Sequence, residues 1–363
     1  MKKICFIITS YNGKGGMERV LSQIANELVE RNYHISIVSL GKGLKPNFYT
    51  DQRIELYELN TLVSKSNHNI FLFAYKTVEK IKKIKKILEQ IKPDFVVTVG
   101  IGFYRYIEYA RKKLKLKTIA WEHFCLNAYD EFQIKLSRNL AIKHADKVVV
   151  LTNTDLSIYQ KNYPCANNII RIYNPIAFNT TNNIDVNNKV VIAAGRYVHE
   201  KGFDLLIDAW SKIANESNDW ELRIFGEGAD REKLQRQIDF YKLFNIKLCG
   251  YSNNLDKELE KASIFALSSR FEGLGLVLLE AQSKGLPCIS FDCICGPREI
   301  INHNVNGFLV QPENTDEFAE KLLVLMKDSN LRQTFSNNSH KDLYKFDVNN
   351  IINEWINLFE ELS

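Results

Sequence analysis

Short continuous apolar runs alternate along this chain with longer segments whose apolar residues recur every three or four positions. Lys3–Ser10 (K-I-C-F-I-I-T-S) is of the first kind, the pattern of a strand covered on both faces. Met17–Arg31 is of the second, with Val20, Leu21, Ile24, Leu28 and Val29 on one helical stripe, and His34–Leu40 is a strand again. The loop between the first strand and this helix, Tyr11–Gly16 (Y-N-G-K-G-G), falls where α/β sheets place ligands. It matches neither G-x-G-x-x-G nor the P-loop pattern, so it names no cofactor.

The alternation continues. Phe71–Ile91 reads as a helix with Ile81, Ile84, Leu88 and Ile91 on one face and Lys76, Lys80, Lys82, Lys83, Lys85 and Lys86 around the rest. Asp94–Val99, Lys117–Trp121 and Lys147–Thr152 read as strands, and Pro175 ends the segment Ile170–Pro175. A second series begins near Lys189, with strands Val190–Gly195, Glu221–Gly226, Ile246–Cys249, Ile264–Ser268 and Cys288–Phe291. Its helices are Phe203–Ala214, Asp230–Phe240 and Thr315–Lys327. Asn306-Gly307 reads as a hairpin turn or tight loop. The pattern predicts an α/β protein of two successive parallel-sheet domains with a hinge around Asn174–Asp185. A length of 363 residues agrees with two cores.

Composition changes this picture in three places. No apolar run approaches the roughly 18 residues of a membrane span. The first apolar stretch stops at Thr9 and Ser10 with no small-residue cleavage site after it, so a strand is expected there rather than a signal peptide. Seven scattered cysteines are odd in number, which argues against a disulfide framework; free thiols in a reducing cytoplasm are the plain expectation. The net charge of +5 conceals an asymmetry: residues 1–175 hold 28 Lys and Arg against 15 Asp and Glu, and the remainder 20 against 28. Such a basic half suits an anionic membrane surface, a phosphorylated acceptor or nucleic acid, or is a solvated lysine-rich surface.

The richest stretch is Arg270–Gly285 (R-F-E-G-L-G-L-V-L-L-E-A-Q-S-K-G). Glu272 and Glu280 bracket seven apolar or glycine residues, and a glycine-containing loop runs into a helix. A helix start offers free N–H groups and a positive dipole end to a phosphate, while two carboxylates offer acceptors to hydroxyls. Phosphate with hydroxyls is the chemistry of a nucleotide sugar, although an ordinary amphipathic helix with two exposed acids has the same spacing. Gly195–Gly202 (G-R-Y-V-H-E-K-G) directly follows a strand, and Arg196 and Lys201 there suit a phosphate or a solvated turn. His123, in W-E-H-F at a strand end, suits a sugar hydroxyl or a structural role, with Glu122 as the other candidate group. Gly226-Glu227-Gly228 and Gly250-Tyr251 end two strands and suit a base pocket or simple turns; Arg298 in Gly296-Pro297-Arg298-Glu299 suits support of the site or of the fold. The chain has no D-x-D pair, the usual anchor of a divalent ion beside a nucleotide sugar, and no G-x-S-x-G elbow.

Taken in order, Gly15-Gly16, Asn174-Pro175, Gly195-Arg196…Lys201-Gly202, Phe225-Gly226-Glu227-Gly228, the Glu272/Glu280 pair, Gly285-Leu286-Pro287, Gly296–Glu299 and Asn306-Gly307 resemble the retaining glycosyltransferases of family 4, which have the GT-B fold. Among them the chain is similar to bacterial enzymes of O-antigen, capsule or lipid-linked oligosaccharide synthesis. The resemblance implies a Rossmann-like acceptor domain over 1–178, a Rossmann-like nucleotide-sugar domain over 179–345, and a last helix, within 346–363 and roughly Asn349–Leu362, that crosses back to the first domain. It implies Arg196 and Lys201 on the donor diphosphate in place of a metal ion, Glu280 on the ribose and Glu272 on the donor sugar. The backbone of Leu274, Gly275 and Leu276 is implied at the phosphates, with Gly15, Gly16, Gly226 and Tyr251 lining the nucleotide-sugar site and His123 on the transferred sugar. Tyr197 departs from the family pattern, which has small or aliphatic residues there, and is expected to alter the donor pocket. The implied reaction moves a hexose or N-acetylhexosamine from a UDP-sugar to a lipid-linked saccharide, with no metal and no further cofactor. It is placed in the cytoplasm at the inner membrane face, with the lysine-rich helix on anionic lipid. A nucleotide-sugar 2-epimerase and a non-catalytic partner subunit share the fold and stand as alternatives. Nucleic acid is not an expected partner.

Overall fold

The computed structural model describes residues 1–61, 70–128, 131–178, 180–181 and 184–363; of the expected hinge, 179, 182 and 183 lie outside the described residues, as do the side chains of 70–75 in the lysine-rich helix. The chain forms two compact units, Met1–Ala177 with Val348–Ser363, and Phe178–Asp347.

The first unit is built on seven strands: β1 (Lys3–Ile8), β2 (His34–Ser39), β3 (Glu55–Glu58), β4 (Phe95–Val99), β5 (Lys117–Trp121), β6 (Lys147–Val150) and β7 (Ile169–Arg171). They pair in parallel in the order β3-β2-β1-β4-β5-β6-β7. Every residue of β1 after Lys3 is buried because successive side chains enter opposite, equally covered faces. Cys5 and Ile7 pack with Ile84, Leu88 and Ile107, from helices Ile70–Ile91 and Tyr104–Leu114. The C-terminal helix Val348–Glu361 belongs to this unit too: Phe359 lies against Phe95 and Tyr33, and Trp355 against Trp121.

The second unit has six strands: β8 (Val190–Ala194), β9 (Glu221–Phe225), β10 (Ile246–Gly250), β11 (Ile264–Leu267), β12 (Cys288–Phe291) and β13 (Gly307–Val310). They are all parallel, in the order β10-β9-β8-β11-β12-β13. The core runs from Val191, Leu206 and Trp210 to Ile289, Phe318 and Phe335. In each sheet the strand order reverses beside the first strand of its unit, between β1 and β4 and between β8 and β11. Ligand crevices of open α/β sheets open at such points, beyond the strands' carboxyl ends.

Several elements depart from the sequence reading. The edge strand β3 and the helices Tyr104–Leu114 and Ser329–Asn338 were not anticipated. Lys147–Thr152 stops as a strand at Val150, and Thr152 instead caps helix Asn153–Asn162 by accepting from the Asp155 N–H at 3.0 Å. Of the two readings of Asn306-Gly307, the tight loop is the one that forms: Asn306 donates to the Ile300 carbonyl, and Gly307 opens β13 parallel to β12. Cys5, Cys165, Cys249, Cys288 and Cys293 are free thiols; Cys125 and Cys295 are not, which corrects the expectation for those two.

Candidate functional site

In the second unit, the loops after β8 and β11 meet at the reversal point. The first begins at Gly195 and tightens into a short turn, His199–Lys201, before helix Phe203–Lys212. Gly202 makes that junction at φ 60°, and a Cβ there would lie 2.0 Å from the Ser268 carbonyl oxygen. Only glycine meets both demands. The loops therefore touch backbone to backbone, and Ser268 Oγ adds a hydrogen bond to the Lys201 carbonyl at 3.1 Å.

This contact brings Lys201 and Glu272 together. Lys201 Nζ donates to Glu272 Oε1 at 2.6 Å, and Ser269 Oγ donates to the same oxygen at 2.7 Å. Glu272 is buried and Lys201 half-buried. Arg196 is exposed on the same loop, and no acceptor holds its guanidinium among the described residues. Three residues after Glu272, Gly275 turns left-handed at φ 87° and starts helix Leu276–Ser283 without a side-chain cap. The Leu276 and Val277 amides thus have no acceptor among the described residues, the free donors that an anion at a helix start uses. Leu274 is buried beneath this turn, its carbonyl so close to Gly296 that a Cβ there would approach to 2.6 Å. Glu280 lies buried on the helix.

The loop after β9 abuts the first one. A Cβ on Gly226 would meet the Gly195 carbonyl oxygen at 1.8 Å. Tyr251, beyond β10, is 38% exposed. Tyr197 is fully buried, donates to the Ile224 carbonyl at 2.8 Å and packs edge-on against Phe203. It lies in the core and braces β9 and β10 beneath Gly226. Arg298 sets its Nε on Asp292 at 2.9 Å and so has a structural partner.

Sequence reading missed Arg270 and Asp204. Arg270 Nη1 and Nη2 grip the two Asp204 oxygens at 2.8 Å each, and Nη1 also donates to the His199 carbonyl at 2.9 Å. The pairing holds the Asp204 carboxyl below the usual range. Arg270 heads the R-F-E-G run, but its partner stands 66 residues away and gives no local signal.

In the first unit, Gly15 precedes helix Gly16–Glu30, and both glycines are half-buried. The Glu18 carboxylate lies over this loop, 2.4 and 2.7 Å from where Gly13 and Gly15 would carry a Cβ. The loop glycines thus make room for an acid of this chain. His123 follows β5, 6% exposed, its ring 4.4 Å from that of Trp121. Burial pulls its pKa down to about 3, so the imidazole is neutral, and its Nε2 has no hydrogen-bond partner among the described residues. Glu122 turns inward. Its Oε1 accepts from the His123 and Phe124 amides at 2.9 and 3.3 Å, and Oε2 faces Tyr159 and Arg138 at 3.4 and 3.8 Å. Burial raises this carboxyl to about 7, against the pull of Arg138. Glu122 is therefore a support for the His123 segment.

Two family models match the chain: Glycosyltransferase Family 4 over residues 14–179 and Glycosyl transferases group 1 over residues 177–342. An uncharacterized glycosyltransferase of Haemophilus influenzae is 31% identical over 358 residues, covering 98% of this chain and 99% of that protein. The amylovoran biosynthesis glycosyltransferase AmsD of Erwinia amylovora is 26% identical over 365 residues, 98% of this chain and 99% of that protein. Among solved structures, a mutant of TarM from S. aureus in complex with fondaparinux, alpha-GlcNAc-glycerol and UDP matches with a TM-score of 0.84. It is 19% identical and covers 99% of this chain and 100% of that one.

Proposed function

This chain belongs to the family 4 glycosyltransferases of the GT-B fold, and from that premise we propose that it moves a hexose or N-acetylhexosamine from a UDP-sugar, with retained anomeric configuration, to a lipid-linked saccharide in cell-surface glycan assembly. The observation that carries this reading is the Lys201–Glu272 pair beside the uncapped start of helix Leu276–Ser283. A diphosphate placed there meets the Lys201 ammonium, the Arg196 guanidinium and free amides. These fixed donors match the negative charge that grows on the leaving nucleotide, the part a divalent ion plays elsewhere. The donor needs no metal in this scheme and the enzyme no further cofactor.

Glu272, released from Lys201 as the phosphate takes over the ammonium, accepts from a hydroxyl of the sugar. Glu280 does the same for the ribose, and Tyr251 lies toward the base. The acceptor hydroxyl attacks from the face the nucleotide leaves and passes its proton to a phosphate oxygen, so no protein nucleophile is needed. Neutral His123 offers an uncharged ring nitrogen to the transferred sugar, as the family resemblance implies. The first unit holds the acceptor, and its basic surface rests on anionic lipid. UDP as donor nucleotide draws support from the TarM complex, which contains it.

The test combines nucleotide binding with product analysis. UDP, but not GDP, ADP or CMP, is expected to raise the melting temperature, since a ligand at about 100 times its Kd adds roughly 2.7 kcal/mol. UDP-sugars with a bacterial lipid extract are expected to give an α-linked product from an α-linked donor. An inverted product, or a requirement for GDP-sugar, overturns the reading.

A further inference from the structure

We propose that Arg270 is a positioning residue for the transfer reaction: its guanidinium fixes the turn that carries Lys201 against the loop that carries Glu272. This inference rests on the function proposed above and assigns a role to a residue outside the Lys201–Glu272 pair. Its bonds run to both sides of the site. The Arg270 amide donates to the Glu200 carbonyl at 2.9 Å, and Nη1 to the His199 carbonyl at 2.9 Å, so the two residues before Lys201 are held by one side chain and its own backbone. The fork on Asp204 ties down the first turn of the helix that follows Lys201. Glu272 stands two residues after Arg270 on the same loop.

Arg270 does not bind the donor itself. Of its five N–H donors, those on Nη1 and one on Nη2 go to His199 and Asp204, and Nε faces Glu313 Oε2 at 3.4 Å. Its side chain is only 9% exposed. A buried, bidentate guanidinium has one orientation, whereas Lys201 on a four-carbon stem has many. Without the side-chain clamp, the His199–Lys201 turn keeps the backbone bond at Glu200 and its Ser268 contacts but loses the ties at His199 and Asp204, and the ammonium loses its fixed reach to the diphosphate. A lysine at 270 keeps the charge but cannot grip two carboxylate oxygens and a carbonyl together.

The experiment compares wild type, Arg270→Lys, Lys201→Ala and the double variant, following UDP release from the UDP-sugar that wild type uses and the urea midpoint of each protein. Arg270→Lys is expected to lower kcat by about 10-fold or more, as misplaced catalytic groups do, with the donor KM within about 3-fold and the urea midpoint near wild type. In the Lys201→Ala background it is expected to change kcat by less than about 2-fold, because residues acting through one another are not additive. Asp204→Asn serves as an independent cut of the same clamp and should show the same pattern. Wild-type kcat in Arg270→Lys, or an equal fall in both backgrounds, overturns the inference. Wild type that neither binds UDP nor turns over any UDP-sugar overturns instead the function on which it rests.

Discussion

Glu122 and His123 are neighbours with opposite responses to pH. Burial raises Glu122 from 4.5 to about 7 and lowers His123 from 6.5 to about 3. As pH rises from about 4.5 to 7, the unfolded chain gives up the Glu122 proton while the folded one keeps it, so stability is lost over that window. As pH falls from about 6.5 to 3, the unfolded chain protonates His123 and the folded one does not, so stability is lost in the other direction. Between about 4.5 and 6.5 the two slopes oppose, and the wild-type profile hides both. Glu122→Gln removes one slope. Relative to wild type it is expected to gain stability steadily from pH 4.5 to 7, by up to about 3 kcal/mol at about 1.4 kcal/mol per pH unit. Urea midpoints at half-unit pH steps check this, and a difference that does not change with pH rejects it. Gly202 is the other residue with a sharp expectation. An alanine there is strained by about 1–2 kcal/mol at its left-handed φ and strikes the Ser268 carbonyl as well. Gly202→Ala should therefore lower the second unit's stability by about 2 kcal/mol or more and cut donor turnover further than stability alone explains; an unchanged urea midpoint would show that the loops can part.

At the scale of elements, helix Val348–Glu361 shows what a sequence pattern can and cannot carry. Ile351, Ile352, Trp355, Leu358 and Phe359 form a buried stripe at helical spacing, yet the element itself, to within a residue of each end, was read through the family resemblance and not from that stripe. Its place was legible only through the family resemblance, because nothing local says which sheet a stripe will cover. In the structure Trp355 meets Trp121 with ring centroids 4.9 Å apart, and Trp121 in turn meets the His123 ring. Trp355→Ala is expected to cost the first unit about 3–5 kcal/mol and to loosen His123, seen as a shifted and broadened His123 imidazole signal by NMR. A sharp, unmoved signal would mean that Trp121 holds the histidine unaided. β7 and β13 went unread as strands, while β1, β2, β4 to β6 and β8 to β12 were legible as short apolar or alternating runs between turn residues. β3 was not, because E-L-Y-E is short, partly exposed and flanked by acids. Asn306-Gly307 left a hairpin and a tight loop open because the dipeptide favours both, and only the parallel register with β12 decides for the loop. At the candidate site, the spacing of Glu272 and Glu280 and the Arg196–Lys201 loop could be read in one dimension; the Arg270–Asp204 clamp could not, because Arg270 stands on a loop and Asp204 in a helix 66 residues away.

Across the whole chain, the excess of 28 basic over 15 acidic residues in positions 1–175 becomes more selective once structure is added. Lys80 is buried, its ammonium 4.5 Å from the Tyr106 ring centroid. Lys83 and Lys85 pair with Glu79 and Glu89 at 2.8 and 2.9 Å. Lys82 and Lys86 are exposed one turn apart on the same helix. That helix packs against Tyr104–Leu114, which packs against Phe132–His144, and the three carry the exposed apolar residues Val78, Tyr109, Phe132 and Leu136. Among the described residues, no helix is long and apolar enough to cross a membrane. A surface bearing unpaired lysines and exposed apolar side chains suits attachment to an anionic bilayer, at about 1 kcal/mol for each lysine near the surface. Lys82 and Lys86, the exposed lysines of this helix with no carboxylate partner among the described residues, should then dominate: Lys82→Gln with Lys86→Gln is expected to weaken binding to phosphatidylserine-containing vesicles by about tenfold or more. Lys83→Gln with Lys85→Gln should do less, because each ammonium already faces a carboxylate and contributes less free charge. Wild-type binding should also fall from 50 to 300 mM NaCl, as the Debye length shrinks below about 10 Å. Equal losses from the two double variants would mean that total charge governs attachment and the ion pairs break at the surface. If neither variant loses binding, the basic surplus serves solvation alone, and attachment to the membrane drops out of the proposed function.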